Sequence, residues 1–261
     1  MFFLMRCMPS SEVKDFIKTG AIQFSYPDRW VNLDEGRGDY REGVYAFIQF
    51  DDVANAYRLG TKFNDVERFT KNGVVHCRRR SVMKLPTYCL YSFKAEQFAY
   101  PNKAGLHPVE ASITDSYFKD FHFSNSNDPM KSVIIHKPDA FFDALKTSLI
   151  NLGVKEEEIL IQEVNYRPLD FDSYSSKGYT WLEVPEPSPY ELFSKDSNRF
   201  KIQEELRIVI NTSDPRIIHR LTDYPNPIFL GDMSSYSQSL EDYPLDGLVI
   251  KGTGVIVEKD A

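Results

Sequence analysis

Hydrophobic and polar positions fall along this chain in short blocks, and each block predicts an element. Residues 2–7 form an apolar run broken only by Arg6, which reads as a buried first strand. Ser10 or Ser11 then caps a short helix that carries Val13, Phe16 and Ile17 on one face and stops at Gly20. Residues 21–25 are extended again, whereas residues 26–42, with Pro27, Gly36 and Gly38 among many charges, have no period and read as a long surface loop. Residues 44–50 are a strongly apolar strand, after which Asp51 or Asp52 caps a helix through Val53, Ala56 and Tyr57 to Gly60. Further strands are predicted at residues 74–77, 87–93 and 131–137. The clearest helix covers residues 138–152, where Phe141, Phe142, Leu145, Leu149 and Leu152 make one stripe that ends at Gly153. Residues 159–166 and 179–184 read as strands separated by a loop rich in Tyr, Ser and Asp, and the prolines at 185, 187 and 189 exclude regular structure over residues 186–190. The last part is β-rich, with strands at residues 199–211, 228–230, 247–251 and 254–258, punctuated by Asp214-Pro215 and Gly252.

Helices thus gather early and strands late. That order predicts an α+β fold with one continuous core, a single domain over residues 1–261, and it lacks the regular strand and helix alternation of a doubly wound sheet. With 261 residues, 42% of them hydrophobic, the chain has enough apolar side chains for a sizeable core.

Charge and cysteine use narrow the function classes. A net charge of -7 and a pI near 5.3 exclude a protein that coats nucleic acid non-specifically through many phosphate contacts. The densest positive cluster is Arg78, Arg79 and Arg80, followed by Lys84; it reads either as a phosphate-contacting patch or as a solvated turn and internal partner for the acidic excess. The three cysteines, Cys7, Cys77 and Cys89, are odd in number and have no CxxC spacing, so neither a disulfide framework nor a zinc site is expected, and a cytoplasmic setting is. The opening apolar run is cut by Arg6 too early for a signal peptide, and no apolar stretch is long enough to span a bilayer. The five histidines show no ligand spacing, and no metal is expected. Phosphate-cradling glycine loops and the GxSxG elbow are absent, and a nucleophilic pairing of Cys89 with a histidine has no spacing to support it.

What remains is the strand at residues 199–211. In an extended chain Ile202, Leu206, Ile208 and Ile210 take one face and Gln203, Glu205 and Arg207 the other, with Glu204 interrupting the apolar row. A half-buried strand with a solvated face has the same alternation. A carboxylate on a rigid strand, with an amide two residues earlier, also suits binding of a ribose hydroxyl and stabilisation of positive charge at an anomeric carbon.

The Q-x-E spacing of Gln203 and Glu205 resembles the signature of ADP-ribosyltransferases, which split NAD and move its ADP-ribose to a target. The wider pattern, E/Q-x-E-x-R followed by apolar residues, is similar to bacterial domains linked to phage defence. The resemblance implies a split β-sheet core with short helices in the N-terminal half and long loop insertions, with NAD as substrate. It implies that Arg6 on the first strand holds the NAD and that Tyr91 and Ser92 line the nicotinamide pocket. Glu205 would stabilise the transition state, Gln203 would orient the acceptor, and Arg207, beside the cofactor, would keep Glu205 ionised. The opening strand, helix and strand resemble nucleic-acid-modifying relatives, so nucleic acid guided by Arg78, Arg79 and Arg80 is the favoured acceptor and protein the second. A toxin with a neutralising antitoxin, or an anti-phage effector, is the implied setting. The rival expectations are a non-catalytic protein that grips a partner through its Tyr-rich loops and, less supported, a metal-independent nuclease.

Overall fold

The computed structural model describes residues 3–31, 41–49, 65–71, 74–93, 98–99, 105–113, 130–167, 188–197, 204–240 and 249–256. The protein is a mixed α+β chain whose sheets are mainly antiparallel. It begins with β1 (Phe3–Pro9), α1 (Ser10–Thr19), β2 (Ala21–Ile22) and a single turn, α2 (Asp28–Val31). There follow β3 (Val44–Gln49), β4 (Val66–Lys71), β5 (Val74–Arg79), β6 (Thr87–Phe93), β7 (Phe98–Ala99), β8 (Gly105–Ile113) and β9 (Met130–Ile135). The remainder is α3 (Pro138–Asn151), β10 (Ile159–Glu163), β11 (Asn165–Arg167), a 3-10 turn (Pro189–Phe193), β12 (Ser194–Asp196), β13 (Glu205–Ile210), α4 (Pro215–Thr222), β14 (Ile228–Phe229), β15 (Ser237–Leu240) and β16 (Val249–Ile256).

Two compact units divide the chain. The first comprises Met1–Ala21, Leu90–Leu145 and Phe229–Ala261. In it β1 pairs antiparallel with the end of β6 on one side, Leu4 opposite Ser92, and with β9 on the other, Arg6 opposite Val133; β15 continues beyond β9. Phe3, Leu4 and Met5 are all buried, so this strand is covered on both faces, and Phe3 stacks on Phe93 with centroids 4.9 Å apart. Helix α1 packs Val13 and Phe16 inward and ends at Gly20, whose φ of 61° is the left-handed cap that glycine adopts without strain. A Cβ there would lie 2.6 Å from the Leu230 Cβ.

The second unit comprises Ile22–Cys89 and Lys146–Ile228. Here β10 and β13 pair antiparallel, with Gln162 opposite Arg207; β5 lies between β3 and β4; and β11 runs parallel to β12, with Tyr166 opposite Lys195. A cluster of Val82, Met83, Leu192, Phe193 and Val209 forms the core that seats the 3-10 turn against β13. Burying side chains of this size stabilises by roughly 1.5–3 kcal/mol each.

The expected elements are found where apolar periodicity is strong. The stripe of α3 buries Phe141, Leu145 and Leu149 completely, and β6 has the expected bounds. Differences have local causes. The N-cap of α1 is Pro9, with no side-chain cap from Ser10 or Ser11. The predicted strand over residues 159–166 is two strands, because the Val164 N–H turns to the Glu205 carbonyl at 2.8 Å. Residues 247–251 and 254–258 contribute to one strand, β16, which runs through Gly252 opposite Val109 of β8. The predicted helix over residues 51–60 and the predicted strand over residues 179–184 lie outside the described residues, as does Gln203.

Candidate functional site

The centre of the second unit is ionic. Strand β13 is buried at every position, so the face carrying Glu205 and Arg207 is not the solvated sheet face that alternation alone would give. Arg207 is 0% exposed and Glu205 5%. A buried guanidinium is tolerated only when its donors are matched, and all five N–H groups of Arg207 are. Its Nε donates to Glu205 Oε1 at 2.6 Å, one terminal nitrogen donates to Glu42 Oε1 and to the Leu192 carbonyl, and the other donates to Glu42 Oε2 at 2.9 Å and to Glu205 Oε2 at 3.5 Å. The ring of Trp30 faces the same guanidinium, 5.7 Å from its centroid, a cation–π distance.

Each partner is delivered by its own element. Glu42 precedes Gly43, whose φ of 66° turns the chain into β3; a Cβ on Gly43 would sit 2.5 Å from the Met83 sulfur. The 3-10 turn presents the Leu192 carbonyl, its start fixed by Ser188, which accepts from the Tyr190 N–H at 3.3 Å. The β11–β12 pair sets Tyr166 beside Lys195, and both reach Glu205: Lys195 Nζ lies 2.6 Å from Glu205 Oε2, and the Glu205 N–H donates to the Tyr166 hydroxyl at 2.9 Å. The Cys89 thiol donates to the same carboxylate. Arg41, next to Glu42, pairs with Asp196, next to Lys195, which ties the two supplying segments together a second time.

Two carboxylates, Glu42 and Glu205, therefore face two cations, Arg207 and Lys195, and the inner cluster is neutral overall. Burial alone would push the Glu205 carboxyl up, but Arg207 and Lys195 outweigh it and hold the group well below the usual carboxylate range. Burial, reinforced by the Glu205 charge, pushes the Tyr166 phenol and the Cys89 thiol up, so both are protonated donors or acceptors rather than nucleophiles. Burial opposes the charge on Arg207, yet Glu205 and Glu42 prevail and raise its pKa well above the ordinary value. Directly before β13, Glu204 has a φ of 41°, and it is the one non-glycine residue with positive φ among the described residues.

The other sequence-chosen residues are placed as follows. Arg6 is half-buried on β1, Tyr91 half-buried and Ser92 buried on β6, all three in the first unit, whereas Glu205 and Arg207 belong to the second. Of the basic trio, Arg78 is buried and makes a two-pronged pair with Glu67, at 2.9 and 3.0 Å, while its guanidinium covers the Phe69 ring. Arg79 is buried against the Tyr45 ring, with Glu191 3.9 Å from its Nε. Arg80 is exposed. Sequence reasoning passed over Glu42, Lys195, Tyr166 and Trp30; of these only Glu42 carries a hint, a carboxylate before a glycine at the mouth of an apolar strand. No group of His, Cys, Asp and Glu among the described residues is arranged to hold a metal, and no helix among them is long and apolar enough to cross a membrane. Comparison with protein-family profiles, with curated proteins and with solved structures found no match to this chain.

Proposed function

We propose that the chain is an NAD-dependent ADP-ribosyltransferase whose centre lies at the head of β13. The observation that carries this reading is a buried, ionised carboxylate, Glu205, clamped by Arg207 and Lys195 immediately after a residue in a strained conformation. Buried charges and strained backbone concentrate where a protein preorganises chemistry. In the proposed step the bond between the nicotinamide nitrogen and the ribose C1′ breaks, its electron pair leaving with neutral nicotinamide. A nucleophilic atom of the acceptor then bonds to C1′ and gives up its proton to a carboxylate or to water. Arg6 would hold the NAD, Tyr91 and Ser92 would line the nicotinamide, and Gln203 would orient the acceptor. Nucleic acid is the favoured acceptor, with Arg80 as the exposed member of the basic trio, and a cytoplasmic toxin or anti-phage effector held in check by a neutralising partner is the fitting setting.

A second reading rests on a specific observation: the oxygens of Glu205 already accept from Arg207, Lys195 and Cys89. On that reading the cluster is a scaffold, and the protein binds a partner without catalysis. Nicotinamide release from NAD, measured with RNA, DNA or lysate protein added in turn, separates the two. The transferase reading expects release with one acceptor class that falls at least tenfold in Arg6→Ala, with the melting temperature of that variant recorded beside it; no release by the wild-type chain with any acceptor leaves the binding protein.

A further inference from the structure

The 3-10 turn that gives Arg207 the Leu192 carbonyl also carries, one residue earlier, the Glu191 carboxyl, its side chain 9% exposed. One of its oxygens accepts from the Ser188 N–H at 3.4 Å; the other is buried with no hydrogen-bond partner among the described residues. Arg79 Nε lies 3.9 Å from the first oxygen, too far for a hydrogen bond. A neutral carboxyl tolerates this setting better than a carboxylate, whose bare oxygen would lack solvation. Burial accordingly pushes the pKa up to about 7, which the Ser188 amide and Arg79 offset only in part and to which the Asp65 charge adds.

The other charges on the elements around this turn have partners of their own. Arg78 on β5 pairs with Glu67, Asp65 accepts from the Ser81 N–H at 2.8 Å, and Lys84, on the short turn Val82–Lys84, is exposed. On β12 Lys195 meets Glu205 and Asp196 meets Arg41, and on β13 Arg207 and Glu205 meet each other. Arg79 is thus the cation that a charge on Glu191 would draw. Its guanidinium covers the Tyr45 ring, 5.0 Å from the centroid, on β3, the strand that Glu42 precedes. The turn and the head of β3 therefore meet twice: through Arg207, which holds the Leu192 carbonyl and Glu42, and through Arg79, which lies between Glu191 and Tyr45. Glu191 and Leu192 share a peptide bond, so a shift at one meeting point is carried to the other.

We propose that Glu191 is a proton-operated switch on the ionic centre: neutral, it lets the turn keep the Leu192 carbonyl on Arg207; ionised, it draws the Arg79 guanidinium off Tyr45 and pulls that carbonyl away. The proton goes to solvent, and the carboxyl O–H is the one covalent bond that breaks. The switch needs neither NAD nor an acceptor, so it stands or falls separately from the transferase reading.

Trp30 is a built-in reporter, its ring 5.7 Å from the Arg207 guanidinium. The chain has two tryptophans, and Trp181→Phe leaves Trp30 alone. The test follows Trp30 emission against pH in that background, with far-UV circular dichroism recorded beside it. Emission should change in one step with a midpoint near 7 while the circular dichroism stays constant. Glu191→Gln should keep the acid-side emission throughout, and Arg79→Gln should raise the midpoint by about one pH unit or more, because the cation favouring the charged form is gone. In 13C-labelled wild type one glutamate carboxyl should titrate at the emission midpoint, well above the usual value of about 4.3; this reading requires no variant to fold. A flat emission profile overturns the switch, as does a step that survives in Glu191→Gln, a midpoint unmoved in Arg79→Gln, or the absence of a glutamate titrating at the emission midpoint.

Discussion

Arg207 is the residue on which the second unit is most dependent. Its five donors are shared between two carboxylates and one carbonyl, a pattern that the three donors of a lysine cannot reproduce. Breaking a buried ion pair leaves an uncompensated charge, so Arg207→Lys should destabilise by about 3 kcal/mol or more in chemical denaturation. Glu205→Gln should do likewise. A strand-face glutamate in solvent would tolerate that change with little loss, but here Lys195 and Arg207 would be left facing Glu42 alone. The pH dependence follows in sign. Because the folded-state pKa of Glu205 is depressed below the ordinary 4.5, its stabilisation is present above that value and lost as pH falls through the lower folded pKa. Acid titration of stability should show this for wild type and a flatter acid limb for Glu205→Gln. Gly43→Ala attacks the same centre through the backbone: a φ of 66° and a sulfur 2.5 Å from the new Cβ predict a cost of about 1–3 kcal/mol and displacement of Glu42.

At the scale of elements, the 3-10 turn Pro189–Phe193 holds a second titrating group. Glu191 completes the capping box with Ser188, one of its oxygens is buried without a partner, and burial pushes its pKa up to about 7 despite Arg79. A raised acid pKa means stability that is full below about 4.5 and lost as pH rises through about 7. Glu191→Gln should therefore gain stability relative to wild type at pH 8 and little at pH 4, measured by denaturant midpoints. The sequence announces this turn through Ser188 with Glu191 three residues on and Pro189 at the first position, a start signal that three prolines within five residues hide when they are read only as irregular. The helix α4 was readable but missed: Asp214 accepts from the Arg216 N–H at 2.8 Å as an N-cap, and Pro215 takes the first helical position, the pair that had read only as a break. The existence of β13 was legible from its alternation, and so was the pairing of Glu205 with Arg207. That its polar face is buried was not, because burial is decided by Glu42, Lys195 and Tyr166, which the chain supplies from distant positions. Alternation reports a difference between two faces and cannot say that both are covered.

For the molecule as a whole, charge decides what a nucleic-acid acceptor would feel. A chain of net charge -7 spends Arg78 on Glu67 and sets Arg79 near Glu191, so the basic trio presents one solvent-facing guanidinium. Single-strand binding through that trio should release about one counterion, a log–log salt slope near -0.7, and Arg80→Ala should abolish that dependence without changing stability. Arg78→Ala should instead destabilise, by leaving Glu67 without its partner over the Phe69 ring. The reach of the centre has a further consequence. Glu42 and Arg207 are 165 residues apart, and Arg41 and Asp196 are 155 apart. Closing such loops is slow relative to local structure. A nascent chain emerging from the ribosome holds Glu42 and Trp30 long before Arg207 exists, and Cys89 long before Glu205, so the centre stays unassembled until β13 has been translated. Protein synthesis itself acts as a timer on whatever the centre does, and truncated products of an interrupted message are born without it.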